Sequence, residues 1–447
     1  MSASSVSTNS LRQVSLPVAI AIVVANMVGT GVFGSLGFQV ADLPSGFPVM
    51  LLWILGGVIS FCGAVSYAEL TSMMPRSGGE YHLLREAWHP VAGFLAGWIS
   101  ATVGFAAPVA LNAVLLGEYL SAIFSVKGWL FSVPVVLLVT AVHLGPLHRI
   151  GQFQVFFTVL KLGLILVLGI AAFVVGARQP ISFLPEPGDL ELITKPGFAI
   201  SLVYVLYAYA GWNAAAYIAG ELKKPQRNLP LALLIGTGLV TALYLFVNAA
   251  FLYSTPIDDM ARKPEVGFVV AREVFGERGG AAMGLLISIG LISTISSMTW
   301  AGPRVTAMMG EDYRVFRWLG ARNRFGVPAW AVLVQAVIVL ALVATATFDQ
   351  LINFVQALLT LSSLLTVLAL FWLRWRMPKA PRPYRAWGYP FTPAIFSAMS
   401  VYVLYFQVQQ KPVETGWGLV TLVVGFGVYL VCRKWPGQRE EDATQQG

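Results

Sequence analysis

The stretch "MVGTGVFGSLG", residues 27–37, places four glycines, Gly29, Gly31, Gly34 and Gly37, inside the first long apolar run of the chain. Hydrocarbon offers no water to replace a backbone hydrogen bond, and each unsatisfied group there costs several kcal/mol. Each helix-interior Gly adds about 1 kcal/mol relative to Ala. A break of this kind persists only where it lines a cavity enclosed by protein. A second interruption, "LYAYAGWNAAAYIAGE" at residues 206–221, sets Gly211 among small and aromatic residues in the sixth apolar run. If the chain divides into two five-helix halves, the first helix of each half is the broken one, which points to an inverted repeat with a binding site near the midplane. Freed amides from Thr30 to Phe33 suit a carboxylate, and the half-helix dipole adds to that attraction. Freed carbonyls near Met27 and around Tyr207 to Ala210 suit an ammonium, so the pair of breaks is complementary to a zwitterion. The competing explanation is close helix packing through small residues. A Gly-x-x-x-Gly pair starting at Gly29 fails at Phe33, although the three-residue spacing of Gly31, Gly34 and Gly37 can pack.

Composition supports the setting. The 447 residues are 57% hydrophobic and 11% charged, with mean hydropathy +0.73, far from the roughly 25% charge of soluble domains. Crossing ~30 Å of hydrocarbon takes about 20 mostly apolar residues, and about a dozen segments qualify. The expected fold is an all-α polytopic membrane protein of 12 transmembrane helices, with a 5+5 inverted repeat and broken helices 1 and 6. Its parts are a cytoplasmic tail at 1–13, a first repeat at 14–177, a second at 195–373, helices 11 and 12 at 390–432, and a cytoplasmic tail at 433–447. Helix 3 reads as one run from Val91 to Ile123, and helix 8 as Gly280 to Met309. Asn228 followed by Pro230 reads as the start of helix 7. The first ten residues are mostly polar, and no basic stretch precedes the first apolar run, so no cleaved signal is expected. An N-terminus in the cytoplasm puts about 20 Lys/Arg inside against about 8 outside. Both termini are then cytoplasmic, and the protein belongs in the cell (inner) membrane. The basic stretches 314–324 and 374–385 need no nucleic acid, since topology and anionic lipid account for them. Cys62 and Cys432 fall in or at the edge of apolar helices, which implies neither a disulfide framework nor a metal cage.

These residues also carry a family likeness. "GTGVF" resembles the G-S-G-I-F break of the amino acid-polyamine-organocation superfamily, with Thr30 in place of the usual Ser. "YAELTSMMPRSGGEY" (67–81), "YAYAGWN" with "ELKKPQRNLP" (221–230), and "KPVETGWG" (411–418) are similar to segments of its L-type amino acid transporter branch. The resemblance implies a leucine-transporter-type fold and an amino acid substrate. Backbone at Gly29, Thr30 and Gly31 would take the substrate carboxylate, and carbonyls matching Met27, Tyr207 and Ala210 the amino group. Tyr207 replaces the usual gating Phe, and Asn213 matches a pocket-lining Asn. Ala208, Ala210 and Gly211 leave room for the substrate side chain.

Lys161 lies about eleven residues, or ~16 Å, along helix 5 from Ile150, too deep for its stem to snorkel easily. A Lys at helix centre costs ~2.5 kcal/mol or more, so some partner must offset it. Sodium-independent relatives carry a Lys where sodium-coupled ones hold Na⁺. By that resemblance Lys161 is an internal cation in place of sodium, with Ser293, Thr294, Ser296 and Ser297 on helix 8 as nearby hydroxyls.

Other polar residues read as ordinary. Glu69 and Glu118 lie near helix ends, where the interface can solvate them. Gly78 and Gly79 form a turn, after which Tyr81, Leu84 and Trp88 share one helical face as an interfacial gate element. Asn112 either faces the cavity or bonds another helix. Residues 183–197 read as an external loop of Pro and acidic residues. His82, His89, His143 and His148 lack ligand spacing, and no hydrolytic triad, nucleotide loop or metal cluster appears, so neither enzyme chemistry nor a cofactor is expected. The reading is a sodium-independent permease for neutral, small or apolar L-amino acids, working by alternating access and exchange. Proton symport is the first alternative. A non-transporting sensor is the second, set back by a polar tail of about 15 residues after Cys432. Light chains of the resembling branch carry a Cys between helices 3 and 4. Ser121 to Gly128 has none, so no disulfide-linked heavy chain is expected.

Overall fold

The computed structural model describes residues 14–263, 265–345 and 348–434; the tail expected at 1–13, and all of the expected tail at 433–447 beyond residue 434, lie outside the described residues. The architecture is helical. Among the described residues, nine helices are long and apolar enough to cross a bilayer, and three shorter apolar helices, Trp129–His143, Pro196–Tyr209 and Ala329–Thr345, stand among them. This is the all-helical, polytopic membrane architecture expected.

The first apolar run forms two helices. Helix α1 (Leu16–Met27) starts after an extended Ser15 with proline in its first turn, and it ends at an extended Val28. Helix α2 (Thr30–Asp42) resumes after Gly29, whose backbone is neither helical nor extended in the usual sense. Helix α3 (Gly46–Met73) returns, and Gly78 and Gly79, both at positive φ, turn the chain into the short α4 (Glu80–Ala87). Next come α5 (Pro90–Ile99), α6 (Ala106–Phe124), α7 (Trp129–His143), α8 (Leu147–Val174) and α9 (Asp189–Thr194). The second broken run is α10 (Pro196–Tyr209) and α11 (Ala214–Tyr217). Thereafter follow α12 (Pro225–Ser254), α13 (Ile257–Met260), α14 (Val266–Asp312), α15 (Ala329–Thr345), α16 (Phe348–Arg376), α17 (Phe391–Gln410) and α18 (Pro412–Cys432). Helix α12 packs on α1 and α3, α2 packs on α10, and α14 packs on α6 and α8. One apolar core runs through α1, α3, α10 and α12.

Several boundaries differ from expectation. The Val91 to Ile123 run is not continuous, because a wide π-helical turn, Ser100–Gly104, separates α5 from α6. Pro108 has no N–H to offer the carbonyl four residues earlier and its ring crowds that carbonyl, so the ladder widens there. Helix α14 begins well before Gly280 and is interrupted at Gly276, where φ is 72°. Helix α12 begins at Pro225 rather than Asn228, with the Asn228 amide donating to the Lys223 carbonyl at 2.5 Å. Residues 183–197 are not all loop, since α9 lies within them.

Glu69 is not solvated by the interface. It is 0% exposed and receives Arg374 Nη2 at 2.6 Å, Arg382 Nε at 3.0 Å and the Ala386 amide at 2.7 Å. Part of the basic 374–385 stretch is thus spent on an internal carboxylate. At the same end of the bundle Val14 pairs through its backbone with Glu221 and Lys223, Arg304 pairs with Glu221 at 3.0 Å, and Asp312 holds Arg76 and Arg85. Cys62 and Cys432 are free thiols, both buried. Glu118 is exposed.

Candidate functional site

The two breaks meet. A Cβ on Gly31 would stand 2.2 Å from the Ala208 Cα, so only glycine allows α2 to approach α10 this closely. Gly211 has φ +98°, a conformation costly for any other residue, and its Cβ would stand 2.8 Å from the Asn26 side chain. The contact is reciprocal, each break's glycine lying against the residues that precede the other break. The packing explanation and the cavity explanation of these glycines therefore hold together.

Beside the contact lies a cavity of about 90 Å³. Met27, Gly29, Thr30, Gly31, Tyr207, Ala210, Gly211 and Asn213 all line it. Ala208 does not, because its Cα is the surface on which Gly31 rests. Helices α6, α14 and α16 supply other walls through Asn112, Thr294 and Gln356. Among the lining residues none is acidic or basic.

At the start of α2 the first-turn amides have no intrahelical acceptor. The Thr30 amide donates to Asn112 Oδ1 at 3.2 Å, while the Asn112 amide group donates to the Pro108 carbonyl at 2.7 Å. Asn112 therefore both lines the cavity and bonds across helices. It corrects the expectation that the Thr30 amide is free. No acceptor is paired with the Gly31 amide among the described residues. The Thr30 hydroxyl lies 3.3 Å from the Tyr207 hydroxyl, and next to Tyr207 the Phe38 and Tyr204 rings stack at 5.3 Å.

The carbonyls at the breaks are partly occupied. The Tyr244 hydroxyl, from α12, lies 2.6 Å from the Met27 oxygen and 2.9 Å from the Ala208 oxygen, and so bridges the two breaks. Each carbonyl has two lone pairs, which leaves Met27 a second acceptor position. Ala210 caps α10, its amide donating to the Tyr207 carbonyl at 3.0 Å. Sequence reasoning missed Tyr244; its signal was a phenol in the middle of an apolar span.

Lys161 is 1% exposed and reaches the end of α1. Its Nζ donates to the Ala25 carbonyl at 3.3 Å, to the Thr294 hydroxyl at 2.9 Å and to the Val28 carbonyl, which also accepts from Thr294 at 2.7 Å. Three oxygen acceptors match the three protons that an ammonium carries. The Lys161 Nζ sits at the negative end of the α1 half-helix. Ser293 does not join it. Its hydroxyl pairs with Gln154 and Thr158, each at 3.2 Å, because adjacent positions on α14 face different neighbours. Ser297 reaches Asn26, and Ser296 lies 3.3 Å from the buried His143 ring.

Below the second break stands a carboxylate that the sequence reading passed over. Glu80, 2% exposed on α4, accepts from the Tyr67 hydroxyl at 2.8 Å, from Asn213 Nδ2 at 2.5 Å and from the Tyr217 hydroxyl. The available signal was an acid directly after the Gly78–Gly79 turn. Tyr81 and Leu84 are buried, and the Tyr81 hydroxyl donates to Asp312 at 2.6 Å, whereas Trp88 is exposed.

Comparison with known proteins agrees with this geometry. The chain is 28% identical over 448 residues to the large neutral amino acids transporter small subunit 2 of Mus musculus, covering 95% of this chain and 81% of that one. It is 24% identical over 441 residues to the human cystine/glutamate transporter, covering 95% and 86%. It is 24% identical over 433 residues to the serine/threonine exchanger SteT of Bacillus subtilis (strain 168), covering 95% and 97%. A family model described as amino acid permease matches residues 14–429. The chain accordingly belongs to the amino acid permease family, a multi-pass membrane transporter and not an enzyme.

Proposed function

We propose that the protein exchanges neutral L-amino acids across the cell (inner) membrane by alternating access, independently of sodium. The observation that carries this reading is the cavity between the two breaks, whose described lining holds no charged side chain while its backbone offers donors on one side and acceptors on the other. An ionised substrate side chain would be buried there without a partner, which is prohibitive, whereas a zwitterion's own charges meet the broken helices. The Gly31 amide, with Thr30 and Gly29, receives the carboxylate. The carbonyls of Met27, Tyr207 and Ala210 receive the ammonium, and Asn213 faces the side chain.

In this reading twelve spans cross the bilayer with both termini cytoplasmic. The halves 14–177 and 195–373 form an inverted five-helix repeat, followed by helices 11 and 12 at 390–432. The reciprocal contact of Gly31 with Ala208 and of Gly211 with Asn26 supports the repeat, since a two-fold relation exchanges such contacts. Lys161, held by the end of α1 and Thr294, takes the place of a sodium ion. Both cysteines are buried, which suits a permease that works without a disulfide-linked partner. Two of the relatives, a large neutral amino acids transporter small subunit and a serine/threonine exchanger, support the substrate class and the exchange mode.

The test is counterflow in proteoliposomes with a panel of unlabelled amino acids, in sodium and in choline buffer. Neutral amino acids trans-accelerate uptake equally in both buffers if the proposal holds. Strict sodium dependence sinks the Lys161 assignment, uptake into empty vesicles driven by a pH gradient alone replaces exchange with symport, and binding without flux turns the reading into a sensor.

A further inference from the structure

The side chains around the cavity are neutral, but they are not indifferent. Asn213 lines it, and the amide orientation of Asn213 is fixed from behind. Glu80 Oε1 already accepts the Tyr67 hydroxyl at 2.8 Å and takes Asn213 Nδ2 at 2.5 Å, while Glu80 Oε2 faces the Tyr217 hydroxyl. An acceptor oxygen in that position demands the nitrogen of the Asn213 amide, so the amide oxygen turns the other way. That Oδ1 has no protein partner among the described residues, and it is not sealed from the cavity. Across the same cavity Gln356 repeats the pattern. Its Nε2 donates to the Thr360 hydroxyl at 2.9 Å, and its Oε1 is buried with no partner.

Both amides thus turn a nitrogen to the protein and keep an oxygen without a proton, and of the two oxygens it is Asn213 Oδ1 that opens to the cavity, Gln356 Oε1 being closed off. A buried acceptor without a proton is costly, so a site built this way favours a ligand that supplies one over an isostere that cannot. Resting on the transport reading above, we infer that the cavity selects neutral amino acids whose side chain carries a hydrogen-bond donor, a hydroxyl or a primary amide, over apolar isosteres. Glu80 is the positioning residue for this choice, because it acts on the substrate only through Asn213. The apolar part of the original substrate expectation is thereby narrowed.

Threonine and valine are nearly the same shape, and so are serine and alanine to within one oxygen, which makes them the probes. With the full chain in proteoliposomes, threonine competes for counterflow at about tenfold lower concentration than valine, and serine likewise against alanine. Equal potencies, within twofold, overturn the inference while leaving amino acid exchange standing. Counterflow by no amino acid at all overturns the exchange reading and this inference with it. In Glu80→Gln the side chain can present either an oxygen or a nitrogen to Asn213, so the amide is free to turn and the threonine-to-valine ratio falls to about threefold or less. A uniform decline for both substrates with the ratio intact refutes the positioning role. Asn213→Leu keeps the approximate volume and removes the acceptor itself, and lowers the same ratio. Together with the wild-type ratio it decides the substrate claim even if Glu80→Gln does not fold.

Discussion

Replacing Lys161 by Met keeps most of the stem and deletes the ammonium. Three donations end, to the Ala25 carbonyl, the Val28 carbonyl and the Thr294 hydroxyl. Hydrogen bonds to charged groups are each worth about 1.5–3 kcal/mol, so the gross loss is about 4.5–9 kcal/mol. Against it stands the insertion penalty of the Lys itself, about 2.5–3.5 kcal/mol, which the Met variant no longer carries. Thr294 continues to donate to Val28 at 2.7 Å, which cushions one of the two carbonyls. Taken at the lower end of both ranges the net loss is about 2 kcal/mol, and it falls on the residues directly before Gly29, where the turn proposed to meet the carboxylate begins. If that turn relaxes when α1 loses its anchor, the loss is read as roughly 30-fold weaker substrate binding. The assay is the concentration dependence of counterflow for purified wild type and Lys161→Met, each in sodium and in choline. Lys161→Ala adds a second arm. It removes the stem as well and leaves a hole bounded by oxygens, so sodium recovers part of the affinity in the Ala variant and none in the Met variant. An apparent affinity of Lys161→Met within twofold of wild type would show that the ammonium does not hold the break, and would refute the reasoning.

Other perturbations have definite outcomes. Gly31→Ala drives a methyl to 2.2 Å from the Ala208 backbone and lowers counterflow at least tenfold, whereas Gly163→Ala, with nothing within 4 Å of the added methyl, leaves it unchanged; both are read in the same vesicle assay. Glu69→Gln leaves Arg374 and Arg382 without their shared carboxylate and destabilises the protein by about 3 kcal/mol, seen as an earlier unfolding transition in detergent, while transport selectivity of the surviving fraction is unaltered. On α4, outside the spans, burial first and then the charges of Arg76 and Arg85 push His82 from 6.5 down to about 4. The unfolded chain then binds the proton more readily, so the stability tied to neutral His82 is complete above pH 6.5 and is lost as pH falls toward 4. At pH 5 the loss is about 2 kcal/mol, and His82→Gln flattens the pH profile of thermal unfolding between those limits. An unchanged profile in the variant would assign the acid sensitivity elsewhere.

The breaks were legible because glycines in hydrocarbon violate a local rule, and such violations survive only for a reason. Lys161 was legible on the same ground. What escaped was the identity of partners. Thr30 and Asn112 are 82 residues apart and Asn213 and Glu80 are 133 apart, and no local signal joins such pairs. The run of hydroxyls on α14 could be placed near Lys161, but adjacent helical residues point about 100° apart, so Thr294 reaches the lysine and Ser293 faces Gln154. The wide turn before Pro108 could have been suspected from the proline alone, since its ring excludes the carbonyl four residues back.

The residues that break local rules converge on one place. Gly29 faces Asn112 and Thr294, Gly31 rests on Ala208, Gly211 rests on Asn26, and the charge of Lys161 and the phenol of Tyr244 close on the carbonyls between them. Each alone is a loss to a helix in a bilayer, and each is offset only by another member of the set. The carboxylate of Glu80 extends the same logic behind the cavity wall, where a buried acid is tolerated because three neutral donors surround it. The buried ion pairs, by contrast, stand at the end of the bundle where Val14 meets Glu221, and among the described residues none enters the cavity. On the proposed transport function, that separation suits the cavity to a zwitterion: the strong charges come from the substrate, and the protein meets them with dipoles already held in place.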